Sequence, residues 1–215
     1  MKARMAILIS GSGTNMVAIA EAVRNSELDA EITFVGSDRE NAAGLKKAAA
    51  LKLDVKFFSY KNGKTTAEEE IAAAVEATNS RWIVLAGYMK IFSPYFVEKF
   101  TGRIINIHPS LLPAFQGARA IDDAWEYGVK VTGVTIHLVD EEVDHGKILA
   151  QQAIDITEDD TRKSLEEKIH SVEHQLYKAT LKTLFETAEN KLDCNDVYID
   201  SDTFDELTKD ICKED

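Results

Sequence analysis

Short apolar runs alternate along the chain with stretches whose apolar residues recur every three or four positions. Residues 5–9 (MAILI), 31–36 (EITFVG), 54–58 (DVKFF), 82–86 (WIVLA) and 103–108 read as strands, with helices over 14–25, 41–52 and 65–78. This βαβ rhythm predicts an α/β fold: an open, mostly parallel Rossmann-like sheet with helices on both faces. WIVLA is apolar throughout, as a central strand buried on both faces should be. Beyond Pro113 the rhythm changes. Residues 119–127 read as a helix, and 130–139 (KVTGVTIHLV) and 147–156 (KILAQQAIDI) as two strands joined by an acidic turn. From Thr161 to about Glu189, Leu165, Ile169, Val172, Leu176 and Ala179 lay one apolar stripe along a long C-terminal helix. Thr161 suits its N-cap, with Ser164 standing where a capping box has glutamate. The expected organisation is a single domain over 1–190 followed by an acidic, loosely packed tail over 191–215.

Composition narrows the class. The 215 residues are 45% apolar and 29% charged, ordinary proportions for a globular chain with a substantial core. The net charge of -12 repels phosphate backbones, so no nucleic-acid partner is expected. Met5 to Ile9 is too short for a signal-peptide core, and no run approaches the roughly 20 apolar residues of a membrane span. The expectation is a cytoplasmic protein without a membrane partner. Cys194 and Cys212 have no metal-like spacing and read as reduced thiols.

The chemistry concentrates in INIHPSLLP, Ile105 to Pro113. Side chains alternate across a strand, so Asn106 and His108 share one face while Ile105 and Ile107 take the other. Pro109 cannot donate to a ladder and biases His108 toward extended backbone. An amide and an imidazole therefore sit side by side where a strand ends, as a polar end-cap or as half of an active site. In a parallel sheet that end is the carboxyl edge, where open α/β sheets bind ligands.

SGSGTN, Ser10 to Asn15, reaches the same edge between the first strand and the first helix. Met16 stands where a dinucleotide fingerprint needs its third glycine, and a Walker A lysine is missing. A tight turn needs no ligand. The exposed N–H groups of a helix start nevertheless suit the phosphate of a small substrate, with Gly13, Thr14 and Asn15 as candidates. The acidic turn VDEEVDHG, Val139 to Gly146, offers Asp140, Glu141, Glu142 or Asp144 to the same cleft. A carboxylate beside an imidazole favours the imidazolium, which suits a general acid near neutral pH. His137, alternating with Thr135 and Val139, reads as packing, and His145 and His174 as structural. These features together indicate a small-molecule enzyme.

In order, ISGSGTN, LAGYMKIFSP, INIHPSLLP and VTGVTIHLVDEEVDHG resemble the phosphoribosylglycinamide formyltransferases of the folate-dependent formyltransferase superfamily. The resemblance covers about residues 5–188. It implies transfer of a formyl group from 10-formyltetrahydrofolate to the amine of glycinamide ribonucleotide, in purine synthesis. His108 would then be the general acid, or proton shuttle, for the leaving nitrogen 10. Asn106 would donate to the developing oxyanion, and Asp144 would hold the imidazolium and organise a water. The ribonucleotide would contact Gly13, Thr14 and Asn15 through its phosphate, and Glu173 and His170 through its ribose or amine. The folate would lie along Met89, Lys90, Ile91 and Phe92 and against Asn106 and the backbone of Asp140, Glu141, Glu142, Val143 and Asp144, with Lys64 at its glutamate tail. Folate is a co-substrate in this family, so neither a metal nor a tightly bound cofactor is expected. The resemblance is compatible with a monomer or a homodimer.

The stretch AFQGARAI departs from the pattern of the branch, and Gln116 and Arg119 put the loop contacts there in question. Three rivals differ in expectation. A methionyl-tRNA formyltransferase would carry a further RNA-binding domain, and a formyltetrahydrofolate deformylase an extra domain before the catalytic one. A nucleotide-binding regulatory module would use SGSGTN and Asp38, leaving NIHP without work.

Overall fold

The computed structural model describes residues 2–190, so Cys194, Cys212 and the expected tail over 191–215 lie outside the described residues. Among the described residues, seven strands form one sheet in the order β3-β2-β1-β4-β5-β6-β7. They are β1 (Ala3–Ile9), β2 (Ala30–Ser37), β3 (Val55–Phe57), β4 (Trp82–Leu85), β5 (Ile104–His108), β6 (Val131–Leu138) and β7 (Ile148–Asp155). The first five run parallel; β6 is antiparallel to β5, and β7 to β6. The helices are α1 (Thr14–Arg24), α2 (Ala43–Ala50), α3 (Lys64–Ala77), α4 (Pro94–Lys99), α5 (Ala120–Tyr127) and α6 (Arg162–Asn190).

The period-2 alternation divides the core into two layers. Met5, Ile7 and Ile9 of β1 face one side with Met16, Ile19, Leu45, Leu165, Ile169 and Tyr177 from α1, α2 and α6. Ala6 and Leu8 face the other, with Ile71 and Val75 of α3 and Phe96 and Val97 of α4. Each such side chain taken from water contributes about 1.5–3 kcal/mol, which is why WIVLA, buried on both faces, sits at the centre. Ile105 and Ile107 join the first layer and Ile104 the second, as the alternation predicts.

Two local devices differ from expectation. Helix α4, absent from the alternation the sequence shows, is six residues long and too short to display a helical period. Its start signal is Ser93, whose hydroxyl accepts from Phe96 N at 3.3 Å, followed by Pro94 at the first helical position. At the start of α6, Thr161 and Ser164 complete a reciprocal capping box without glutamate. Ser164 N donates to Thr161 Oγ1 (3.1 Å), and Thr161 N donates to Ser164 Oγ (2.9 Å).

This topology places a crevice. Strand order reverses between β1 and β4, so the loops leaving their carboxyl ends diverge to opposite faces and leave a gap. Gly13 lines it at φ 68, with its Cα so near Gly44 that an added Cβ would come within 2.8 Å of that backbone. Only glycine meets both demands.

Candidate active site

At this carboxyl edge lie two adjoining lobes of about 270 Å³ each. Gly87, Met89, Ile107 and Pro109 line both, so they form a single cleft with two arms.

The first arm is built on the SGSGTN loop. Ser10 to Asn15 line it, opposite His170 and Glu173 of α6. All five residues expected at the ribonucleotide are therefore brought together. Asn15 Nδ2 donates to Glu173 Oε2 at 3.1 Å, and His170 Nδ1 lies 2.9 Å from that same oxygen. The Glu173 carboxylate holds the half-buried His170 above the usual histidine range, despite the opposing effect of burial. Sequence reasoning missed Arg39, which lines this arm from the turn after β2. Its signal was position alone: it follows a parallel strand at the same edge as the glycine loop.

The second arm is apolar at its mouth, with Met89 58% and Ile91 63% exposed. Lys90, Phe92, Asn106, His108 and the whole Asp140–Asp144 turn complete its lining. Tyr88, Phe92, Phe96 and Phe100 stack in sequence at 5.5, 4.2 and 4.9 Å between ring centroids, anchoring the β4–α4 turn from beneath. Lys64 is not part of this lining. Its ammonium lies 3.9 Å from Glu68, one turn along α3, and Glu68 in turn accepts from Ser93 at the start of α4.

Where the arms meet, β5 ends. Asn106 is paired with His137 directly across the antiparallel β5–β6 ladder, and His108 with Thr135. His137 is thus no simple packing residue. Its Nδ1 donates to Leu138 O (2.9 Å), leaving Nε2 to accept from Asn106 Nδ2 at 3.1 Å. Burial pushes His137 below the usual histidine range, which keeps the ring neutral and Nε2 an acceptor. That bond fixes the Asn106 amide and uses one of its two N–H groups, so the second is available to the cleft. The buried Thr135 hydroxyl donates to Ser110 O (2.7 Å) and accepts from Leu112 N (3.1 Å), holding the chain just after His108.

His108 is 4% exposed. Its Nε2 lies 2.9 Å from Phe115 O and its Nδ1 lies 3.4 Å from Asp144 Oδ2. Both neighbours are hydrogen-bond acceptors. Asp144 is the acid that the turn delivers: its Oδ2 accepts from Gly117 N at 2.8 Å. Gln116 Nε2 donates to Asp144 O at 3.0 Å, so the departure at Gln116 ties two loops together. Arg119 instead faces Asp123 and Glu126, outside the cleft. Phe115 and Asp144, the two residues flanking the imidazole, both hold left-handed backbone at φ 52 and 51, a strained conformation typical of functional loops.

The sequence profile of the formyl transferase family spans residues 3–181. The chain belongs to that family. The phosphoribosylglycinamide formyltransferase of Bacillus subtilis (strain 168) is 39% identical over 184 residues, covering 84% of this chain and 94% of that protein. The human trifunctional purine biosynthetic protein adenosine-3 is also 39% identical, over 183 residues and 84% of this chain. This chain spans 18% of that longer relative. A crystal structure of phosphoribosylglycinamide formyltransferase from Bacillus halodurans, 43% identical, superposes with a TM-score of 0.84 over 87% of this chain and 98% of that one. Among the described residues no helix is long and apolar enough to cross a membrane, and no His, Cys, Asp and Glu cluster could hold a metal ion.

Proposed function

We propose that this chain transfers the formyl group of 10-formyltetrahydrofolate to the amine of glycinamide ribonucleotide in purine synthesis. The observation that carries the reading is the junction of the two arms, where the Asn106 amide and the His108 imidazole face one space. The ribonucleotide phosphate rests on Gly13, Thr14 and Asn15, with Arg39 beside it and Glu173 meeting the ribose or amine. The folate lies along 89–92 and the Asp140–Asp144 turn.

The amine nitrogen attacks the formyl carbon, and the carbonyl electron pair moves onto oxygen. The second N–H of Asn106 meets that oxyanion; losing one such donor costs about 2.7–4 kcal/mol of transition-state stabilisation. Collapse breaks the bond to nitrogen 10, which takes its proton from His108. The attacking amine gives up a proton through a water held at Asp144, restoring the imidazolium. A positioned acid of this kind contributes roughly 10²–10⁴-fold.

Following folate absorbance with and without glycinamide ribonucleotide tests the reading. Product only with the ribonucleotide supports transfer; turnover of formyl-folate without it indicates a hydrolase. The reading extends to a cytoplasmic enzyme without nucleic-acid partners, monomeric or homodimeric. Its catalytic domain spans 1–190.

A further inference from the structure

Asp38, at the end of the β2 segment, is a carboxylate whose side chain is only 4% exposed, and the proposed chemistry does not use it. We propose that Ser10, backed by Asp38, is a positioning residue that sets the folate arm of the cleft from within the ribonucleotide loop. The inference rests on the assignment of the two arms given above.

Ser10 is 1% exposed. Its hydroxyl donates to Asp38 Oδ1 at 2.5 Å and accepts from Met89 N at 2.8 Å. Its backbone N–H donates to Gly87 O at 3.0 Å. A hydroxyl has a single hydrogen, and the carboxylate can only accept, so Asp38 fixes which way that hydrogen points. A charged acceptor also polarises the hydroxyl oxygen and strengthens the bond it receives from Met89. Lys90 Nζ stands 3.8 Å from Asp38 Oδ2 and 5.0 Å above the Tyr60 ring, whose hydroxyl meets that of Tyr88 at 3.0 Å. The turn after β4 is thereby held at Gly87 O, Met89 N and the Lys90 ammonium. Gly87 and Met89 line both arms. The phosphate loop has an anchor of its own, Gly44 N donating to Gly11 O at 3.0 Å, so loss of the Ser10 hydroxyl releases the folate wall first.

The test uses steady-state kinetics on the full chain. Ser10→Ala is expected to raise KM for 10-formyltetrahydrofolate about tenfold and KM for glycinamide ribonucleotide less than about threefold, the effect of one buried amide losing its acceptor. Asp38→Asn keeps an oxygen for Ser10 and is expected to raise the folate KM less. Adding Asp38→Ala to Ser10→Ala is expected to raise that KM no further, because the two act as one unit. Equal rises in both KM values, or additive effects, overturn the inference. Hydrogen exchange at the Met89 amide of the unmutated protein tests it without any variant: protection supports it, and free exchange overturns it. Thr14→Asp checks the arms separately. If it leaves the ribonucleotide KM unchanged, the arm assignment falls and the inference with it. If it raises that KM while Ser10→Ala leaves the folate KM unchanged, the inference alone falls.

Discussion

Asn106 faces His137 across the β5–β6 ladder and donates to its Nε2 at 3.1 Å, so a buried histidine aims the amide proposed to meet the oxyanion. Replacing the acceptor leaves that amide free to turn. His137→Leu is expected to lower kcat between about 10- and 100-fold, somewhat less than outright loss of an oxyanion donor. His137→Gln, which offers an amide oxygen, should recover part of the rate. Equal losses in the two variants, measured at saturating substrate, count against the aiming role.

Asp144 stands 3.4 Å from His108, and its left-handed backbone is bonded to the facing loop. Gln116 supplies the 3.0 Å bond to Asp144 O. Gln116→Ala is expected to lower kcat roughly 10- to 100-fold, the cost of displacing a catalytic group by about an ångström. Gln116 is exposed, so thermal unfolding should barely change. An unchanged kcat removes Gln116 from the mechanism.

Arg39 is the one arginine or lysine among the residues lining the ribonucleotide arm. Because it is exposed, its attraction to the phosphate is screened. Arg39→Met is expected to raise the ribonucleotide KM about two- to fivefold at low ionic strength, with the difference vanishing near 0.5 M salt. A KM that is unaffected at low salt excludes the contact.

His170 and Glu173 give a pH signature. Glu173 raises the folded-state pKa of His170 above the unfolded value of 6.5. The stabilisation is therefore complete below about pH 6.5 and lost as pH rises through the raised folded value. Thermal unfolding of the wild type compared with His170→Gln should show the wild-type advantage shrinking across that interval. His137 acts oppositely: its pKa is lowered by burial, so its stabilisation is lost as pH falls below 6.5. A pH-independent gap between wild type and His170→Gln contradicts the pairing.

The chain alone determined what depends on short-range order. Period-2 alternation put Asn106 and His108 on one side of a strand, and the βαβ rhythm put that strand end and SGSGTN on one edge of a parallel sheet. It also indicated the long final helix, because an apolar stripe at spacings of three and four is a local property. What depends on which distant segments meet was decided only by tertiary structure. The β5–β6 register turned His137 from a packing residue into the partner of Asn106. The left-handed turn chose Asp144 from four neighbouring acids. Helix α3 set Lys64 beside Glu68 and outside the lining of the cleft, while strand order brought Arg39 into that lining. Side-chain periodicity repeats within a few residues, whereas register, strand order and loop contact follow from how the whole sheet packs.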